Sequence, residues 1–269
     1  MSDHQAVLDD AIQSYYGSAE EDSRLTTRSA GGRLELARTR ELVSARLAPA
    51  SRVLDVGGAT GVHSTWLAAA GHHVTLIDPV QSQVEAAAAI GTFEAVTGDA
   101  RALPAPDASV DAVVLLGPLY HLIGREDRML ALSEARRVLR PGGVLFAQAI
   151  GRLPAFVNAV LIRGCEAIDE NDLRVLRTGV WTNPGPGFPG GHFHTAAELR
   201  AEVEEAGFAD VALRGLEGPN VGVLEFLEPD PGLERAGLDL VERAEAAFVG
   251  ARRDLLAEAS PHILAIGVR

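Results

Sequence analysis

A chain of 269 residues in which 47% are hydrophobic is long enough for one sizeable core with an elaboration. Its formal charge of −13, with no basic tract, disfavours nucleic acid as a partner. All 24 basic residues are arginine, which removes lysine Schiff-base chemistry, and with it pyridoxal phosphate enzymes, and the lysine-bearing phosphate loop.

The first 48 residues are acidic around Glu20-Glu21-Asp22 and then form a helix from about Gly31 to Leu47, ahead of Pro49. Arg52 to Val56 reads as a short buried strand that runs into Gly57-Gly58-Ala59-Thr60-Gly61, with a helix from His63 to Ala70 ended by Gly71. Such a glycine turn lets a ligand lie against bare backbone. The next strand, His73 to Ile77, ends at Asp78-Pro79, which places a carboxylate at the carboxyl edge of the neighbouring strand, where a ribose would present two hydroxyls.

A helix from Gln81 to Ile90, a strand near Phe93 to Thr97 and the loop Gly98-Asp99-Ala100 follow. A buried strand, Ser109 to Leu116, then enters Gly117-Pro118-Leu119-Tyr120-His121-Leu122. Helix Glu126 to Arg140 and the Pro141-Gly142-Gly143 turn lead into strand Val144 to Ala149. Beyond it come helical material (Leu153 to Asp169, Leu173 to Gly179), a proline- and glycine-rich loop (Thr182 to Gly191), helix Ala196 to Ala206, strand Asp210 to Leu216, an insertion, and a last strand from His262.

This ordered series resembles the class I S-adenosylmethionine-dependent methyltransferases, in particular their small-molecule branch, over roughly residues 45 to 150 and more loosely to the end. The resemblance implies a Rossmann-like doubly wound α/β fold, with a seven-stranded sheet, an antiparallel last strand and helical cap insertions. A single domain, 1–269, would comprise an N-terminal helical lid (1–48), a cofactor-binding half (49–150) and substrate-cap insertions (151–193 and 217–260).

Carried over by residue, the resemblance gives Gly57, Gly58 and Gly61 the close approach to the cofactor's methionine portion, and Asp55 the holding of that loop and of the amino group. Asp78 with Pro79 would take the ribose, Asp99 and Ala100 the adenine, and Leu116 and Gly117 the wall below the sulfonium. Arg33 or Arg38 would pair with the cofactor carboxylate. The family's loop commonly has glycine where this chain has Ala59, a departure that would tighten the approach.

The substrate chamber is expected to draw on Tyr15, Tyr16, Tyr120, His121, Phe156, Trp181, His192 and His194, a mixture suited to a partly apolar small molecule. His121 is the first candidate for a general base, beside Tyr120; the competing role is a structural histidine bonding loop backbone. The His192-x-His194 pair supplies only two metal ligands, so no metal is expected. The expected reaction is methyl transfer to O, N or C of a small organic molecule such as a bacterial specialised metabolite, with S-adenosylhomocysteine as product.

Other readings are a member of the same fold that binds the cofactor without methylating, acting as a cyclase or isomerase or in a binding role, and an NAD-dependent oxidoreductase. The last needs G-x-G-x-x-G, and two of its three positions fall on Ala59 and Val62. Cys165 is alone, so no internal disulfide forms, which suits a reducing cytoplasm; it is expected to pack inside a helix. No signal peptide or membrane span is expected, and the chain would be a cytoplasmic monomer or homodimer.

Overall fold

The computed structural model describes residues 3–16, 23–182, 188, 190–220, 224–248 and 252–269. The acidic stretch Glu20-Glu21-Asp22 and most of the proline- and glycine-rich loop, 183–187 and 189, lie outside the described residues.

Helix α1 spans Asp3–Tyr16, followed by a π-helical turn at Arg24–Arg28 and helix α2 at Ala30–Ser44. Ser29 caps α2, its hydroxyl accepting from the backbone N–H of Gly32 at 3.0 Å and so satisfying one of the helix's orphan donors. The sequence then alternates strand and helix: β1 Arg52–Val56, α3 Val62–Ala69, β2 His73–Asp78, α4 Gln81–Ala88, β3 Glu94–Thr97, β4 Val110–Leu115. After β4 come a single helical turn, α5 (Pro118–His121), then α6 (Arg125–Val138) and β5 (Leu139–Ile150).

The second half contains α7 (Arg152–Arg163), α8 (Glu170–Thr178), the short strands β6 (Val180–Thr182) and β7 (Gly190–His192), α9 (Ala196–Glu205), β8 (Ala209–Gly215), α10 (Pro231–Ala247), α11 (Arg252–Glu258) and β9 (His262–Val268).

Seven strands form one sheet in the order β3-β2-β1-β4-β5-β9-β8. The pairs β1 with β2, β1 with β4, β2 with β3 and β4 with β5 are parallel, whereas β9 runs antiparallel to both β5 and β8. A parallel sheet must be covered on both faces, and its central strands accordingly read as near-continuous apolar runs. One face carries Leu54, Val113, Leu115, Leu145 and Ala147 against α6 and α9; the other carries Val53, Ala112, Val114 and Phe146 with Val43, Trp66 and Leu67.

The expected seven-stranded topology with an antiparallel last strand is therefore present. The departures are local. Pro141-Gly142-Gly143 lies within β5 as a register shift rather than ahead of it, because Leu139 already pairs with Val110. Gly117 to Leu122 was expected as a loop and contains a helical turn with Pro118 in its first position, where a missing N–H costs nothing. The hairpin β6–β7 (Val180 with His192) has no counterpart in the sequence reading. Cys165 is exposed rather than packed in a helix, because Gly164 at φ +84° ends α7 before it.

Candidate active site

A cavity runs along the carboxyl ends of the parallel strands. Its lining starts at the β3 loop with Gly98, Asp99, Ala100 and Arg101, passes the end of β2 at Asp78, Pro79 and Val80, and crosses Asp55 to Ala59 after β1. It continues over Leu116, Gly117, Pro118, Tyr120, His121 and Leu122 after β4, and reaches Gln148 on β5. The strand order reverses between β1 and β4, so the cavity sits at the switch point where open α/β sheets bind ligands.

The glycine turn is shaped by contacts that a side chain would break. Gly57 has φ +72°, and a Cβ there would lie 2.7 Å from Pro118. At Gly58 it would lie 2.7 Å from Leu76 and 3.0 Å from the Asp55 carboxyl carbon. Both glycines present backbone to the cavity. Gly61, at φ +94°, is absent from the lining; its position is dictated by the turn into α3 and by the Phe93 ring.

Asp78 holds the turn from the neighbouring strand. One of its oxygens accepts from the N–H of Ala59 and the other from the N–H of Val80, each at 2.9 Å. Burial raises its pKa, and these two N–H groups only partly oppose that. Asp55 is buried under the loop and accepts from the Ser64 hydroxyl at 2.7 Å. Burial pushes its pKa up to about 6, against the Ser64 hydrogen bond and with the help of the nearby Asp78 charge.

At the β3 end, Arg101 forks onto both oxygens of Asp99 and reaches Asp9 of α1 at 3.0 Å. Burial alone would raise the pKa of Asp99, but the Arg101 bonds hold it below its ordinary value. Helix α1 closes over this stretch. Gln13 donates to the Pro79 carbonyl at 3.0 Å, Gln83 donates to the Tyr16 carbonyl, and buried Gln5 both donates to the His121 carbonyl and accepts from the Ile123 N–H.

His121 and Tyr16 meet on the cavity wall, with Tyr16 Oη 2.9 Å from His121 Nε2. Burial pushes the His121 pKa down to about 3, so the ring is neutral at pH 7, and its Nδ1 is buried without a hydrogen-bond partner among the described residues. Around it, Tyr120, Phe188, Trp181 and Phe193 form a continuous aromatic array, with Trp181 stacked on Phe188 at 5.8 Å and on Phe193 at 6.1 Å.

Several expected residues fall elsewhere. Arg38 is buried away from the cavity, where Glu41 at 2.8 Å and Glu245 at 2.7 Å hold its guanidinium; Arg33 pairs with Glu234 at 2.9 Å. Both point toward α10 or along α2, so neither supplies a charge to the cavity. Tyr15 packs edge-on against Tyr16, and Phe156 is half-buried on α7; neither lines the cavity. Trp181 stands behind Phe188, and His192 and His194 are buried against each other, ring centroids 4.5 Å apart, with His194 Nε2 3.3 Å from Glu202.

The reading of the sequence missed the end of the cavity beyond β4. Arg24, Leu25, Glu35, His63 and Gln148 line it. Arg24 grips both oxygens of Glu35, at 2.6 and 3.2 Å, and Gln148 donates to one of them at 2.9 Å. Burial would raise the Glu35 pKa, but the Arg24 and His262 charges outweigh it and hold the group at about 2. No pattern in the sequence marks Glu35; that it is 3% exposed on the inward face of α2, beside buried Leu34 and Thr39, is set by the fold.

Comparison with known proteins accords with this geometry. The model of a methyltransferase domain family matches residues 54–147. The demethylmenaquinone methyltransferase of Mycolicibacterium vanbaalenii is 32% identical over 194 residues, 67% of this chain and 77% of the relative. An uncharacterized methyltransferase of Mycobacterium tuberculosis is 40% identical over 99 residues, which span 36% of this chain and only 39% of that protein.

Among solved structures, a SAM-dependent methyltransferase of Thermotoga maritima, described as a possible histamine N-methyltransferase, superposes with a TM-score of 0.58 at 18% identity, covering 96% of this chain and 97% of the other. The [4+2]-cyclase SpnF gives 0.54 at 20% identity, over 86% and 80%. At such identities the likeness is one of fold. The chain belongs to the class I S-adenosylmethionine-dependent methyltransferases. Among the described residues, no helix is long and apolar enough to cross a membrane.

Proposed function

We propose that the protein transfers a methyl group from S-adenosylmethionine to an acidic oxygen or carbon of a small aromatic acceptor. The observation that carries this reading is the neutral His121–Tyr16 pair on the cavity wall, beside an aromatic array and one strand away from the glycine turn.

The residues fit the cofactor. Bare backbone at Gly57 and Gly58 admits the methionine portion, Asp78 is placed for the ribose hydroxyls, and Asp99 and Ala100 for the adenine. Arg24, rather than Arg38, stands at the far end for the carboxylate. When bound, the cofactor supplies an electrophilic methyl group on a cationic sulfur.

Alignment of acceptor and methyl group supplies roughly 7–11 kcal/mol in favourable cases, and a positioned base about 10²–10⁴-fold. Tyr120 and the wall formed by Leu116 and Gly117 hold the acceptor in line, and α1, through Ile12, Gln13 and Tyr16, excludes water with Leu25 and with Phe188, which packs on His121. As the bond to the methyl carbon forms, the Tyr16 hydroxyl takes the acceptor's proton and passes its own to His121 Nε2, the ring nitrogen it already faces at 2.9 Å. The aromatic array of Tyr120, Phe188, Trp181 and Phe193 around His121 suits a ring-bearing acceptor such as a phenol or a quinol. The aromatic-ring class is also that of the demethylmenaquinone relative's printed name.

The test is calorimetric titration of S-adenosylhomocysteine followed by a labelled-methyl assay on a panel of phenols and quinols, with His121→Ala in parallel. The expected result is tight cofactor binding by both proteins, with transfer lost only in the variant. Binding without transfer, while an acceptor is cyclised or rearranged, would instead favour a non-methylating role. No binding would overturn the reading.

A further inference from the structure

We propose that Glu35, Glu217 and His262 form a binding site for one divalent first-row transition-metal ion at the β5 end of the cavity. The three residues come from α2, the turn after β8 and the start of β9, and one ligand atom from each lies within 4.8 Å of the others. His262 Nδ1 faces Glu217 Oε1 and is 3.4 Å from Glu35 Oε2. That spacing is what two ligands at about 2.0–2.2 Å from a tetrahedral ion would show. The ion would occupy the place of the proton that the imidazole shares with the carboxylates, the Glu217 contact opening to admit it.

The surroundings orient both carboxylates. Gln148 donates to Glu35 Oε1 at 2.9 Å, an oxygen that Arg24 also reaches at 3.2 Å, and the Ser260 hydroxyl donates to Glu217 Oε2 at 2.9 Å. Ser260 Oγ is itself fixed by the N–H groups of Glu217 and Gly218, both at 3.1 Å. Such outer contacts orient ligating carboxylates and tune their donor strength. Both glutamates are nearly inaccessible to solvent, at 3% and 1%.

Arg24 bonds Glu35 from outside, and a carboxylate oxygen has two lone pairs, so the guanidinium and an ion can share it. One imidazole and two carboxylates suit manganese, iron, cobalt or zinc; calcium asks for six to eight oxygens.

Of the three ligands, only Glu35 lines the cavity, so the ion's remaining positions would face it. Two carboxylates balance a divalent ion, and the Arg24 charge is met by the cofactor carboxylate, so an acceptor oxygen would bind the ion as a ligand in an open position facing the cavity. That last step, an acceptor oxygen on the ion, rests on the methyltransferase reading; the ion site itself does not.

The test uses the full chain stripped by chelator, titrated with Co²⁺ and followed by its visible d–d absorption, then with Mn²⁺ and Zn²⁺ in competition. One saturable ion per chain is expected. Glu217→Gln, which keeps the side chain's size, is expected to weaken it at least 10-fold and His262→Ala to abolish it, while Asp78→Ala leaves it intact and loses S-adenosylhomocysteine instead. Circular dichroism of each variant establishes that it folds. Absence of saturable binding to the wild type, or equal affinity in folded Glu217→Gln, would overturn the site. Because the S-adenosylhomocysteine titration is run on the same samples, failure of the ion site and failure of the methyltransferase reading are separate results.

Discussion

The backbone N–H of Ala59 donates to the carboxylate of Asp78 across 2.9 Å, and Ala59 makes this bond from the left-handed region, at φ +48°. The acid at the end of β2 therefore fixes the glycine turn as well as facing the cavity. Removing the carboxylate loses both the turn's anchor and the acceptor for a pair of hydroxyls. Asp78→Ala is expected to weaken S-adenosylhomocysteine by at least 10-fold, about 1.4 kcal/mol. Asp78→Asn should lose nearly as much, because its amide puts a donor where an acceptor is required. Calorimetry on the two variants checks this, and unchanged affinity in either would remove Asp78 from the site.

Ala59 sits where an L side chain costs roughly 1–2 kcal/mol relative to the right-handed region. Ala59→Gly removes that strain but adds freedom to the unfolded chain, so the expected net effect is a stabilisation of no more than about 1 kcal/mol. Ala59→Val, branched at Cβ, should destabilise by more than that. Urea unfolding midpoints of the three proteins decide the order.

Buried neutral histidines set the acid limb of stability. Burial pushes the pKa of His121 down to about 3, that of His63 to about 4 and that of His192 to about 2. His192 is lowered further by His194, Arg128 and Arg152, with Glu202 opposing. Each is depressed below its unfolded value near 6.5, so the unfolded chain binds more protons and stability rises with pH. This contribution is full above about pH 6.5 and is lost as pH falls toward the folded values.

Asp55, raised to about 6, acts in the opposite sense, its contribution being present below about 3.8 and lost as pH rises through 6. Chemical denaturation is accordingly expected to show a fall in stability from pH 7 to pH 5, shallower than three histidines alone would give. His192→Phe, which fills the space without a proton site, should flatten it. A pH-independent midpoint would contradict the neutral assignment.

The half of the site built from consecutive strand ends was legible, because each loop there follows its strand directly and the chain order maps onto position along the sheet edge. Asp55, Gly57, Asp78, Asp99 and Gly117 could thus be placed from motif and order alone. Glu35, Gln148, Glu217 and His262 could not. They are brought together by the packing of α2 against β5 and β9, and Glu35 and Glu217 are far apart in the chain, so no local period marks them. Arg38 was misplaced for a related reason: one helical turn separates it from Glu35, and only the position of α10 shows which of the two polar groups faces inward.

The two arginines offer a discriminating pair of variants. Arg24 lies on the cavity wall with its side chain 26% exposed, forked onto Glu35, whereas Arg38 is 3% exposed among Glu41, Glu245 and Glu242, behind the wall. If Arg24 meets the carboxylate of the cofactor, Arg24→Gln should weaken S-adenosylhomocysteine about 10-fold or more, and it should also lower the unfolding midpoint, because buried Glu35 keeps only Gln148 and His262 as partners among the described residues.

Arg38→Gln should lower the midpoint and leave the cofactor untouched. It removes the charged hydrogen bonds that tie α2 to α10 through half-buried Glu245, a cost of about 1.5–3 kcal/mol, with cofactor affinity preserved in the folded fraction. Paired calorimetry and denaturation resolve the two effects. Cofactor affinity that depends on Arg38 and not on Arg24 would mean that the carboxylate end of the ligand lies on the other side of α2 from the cavity described above.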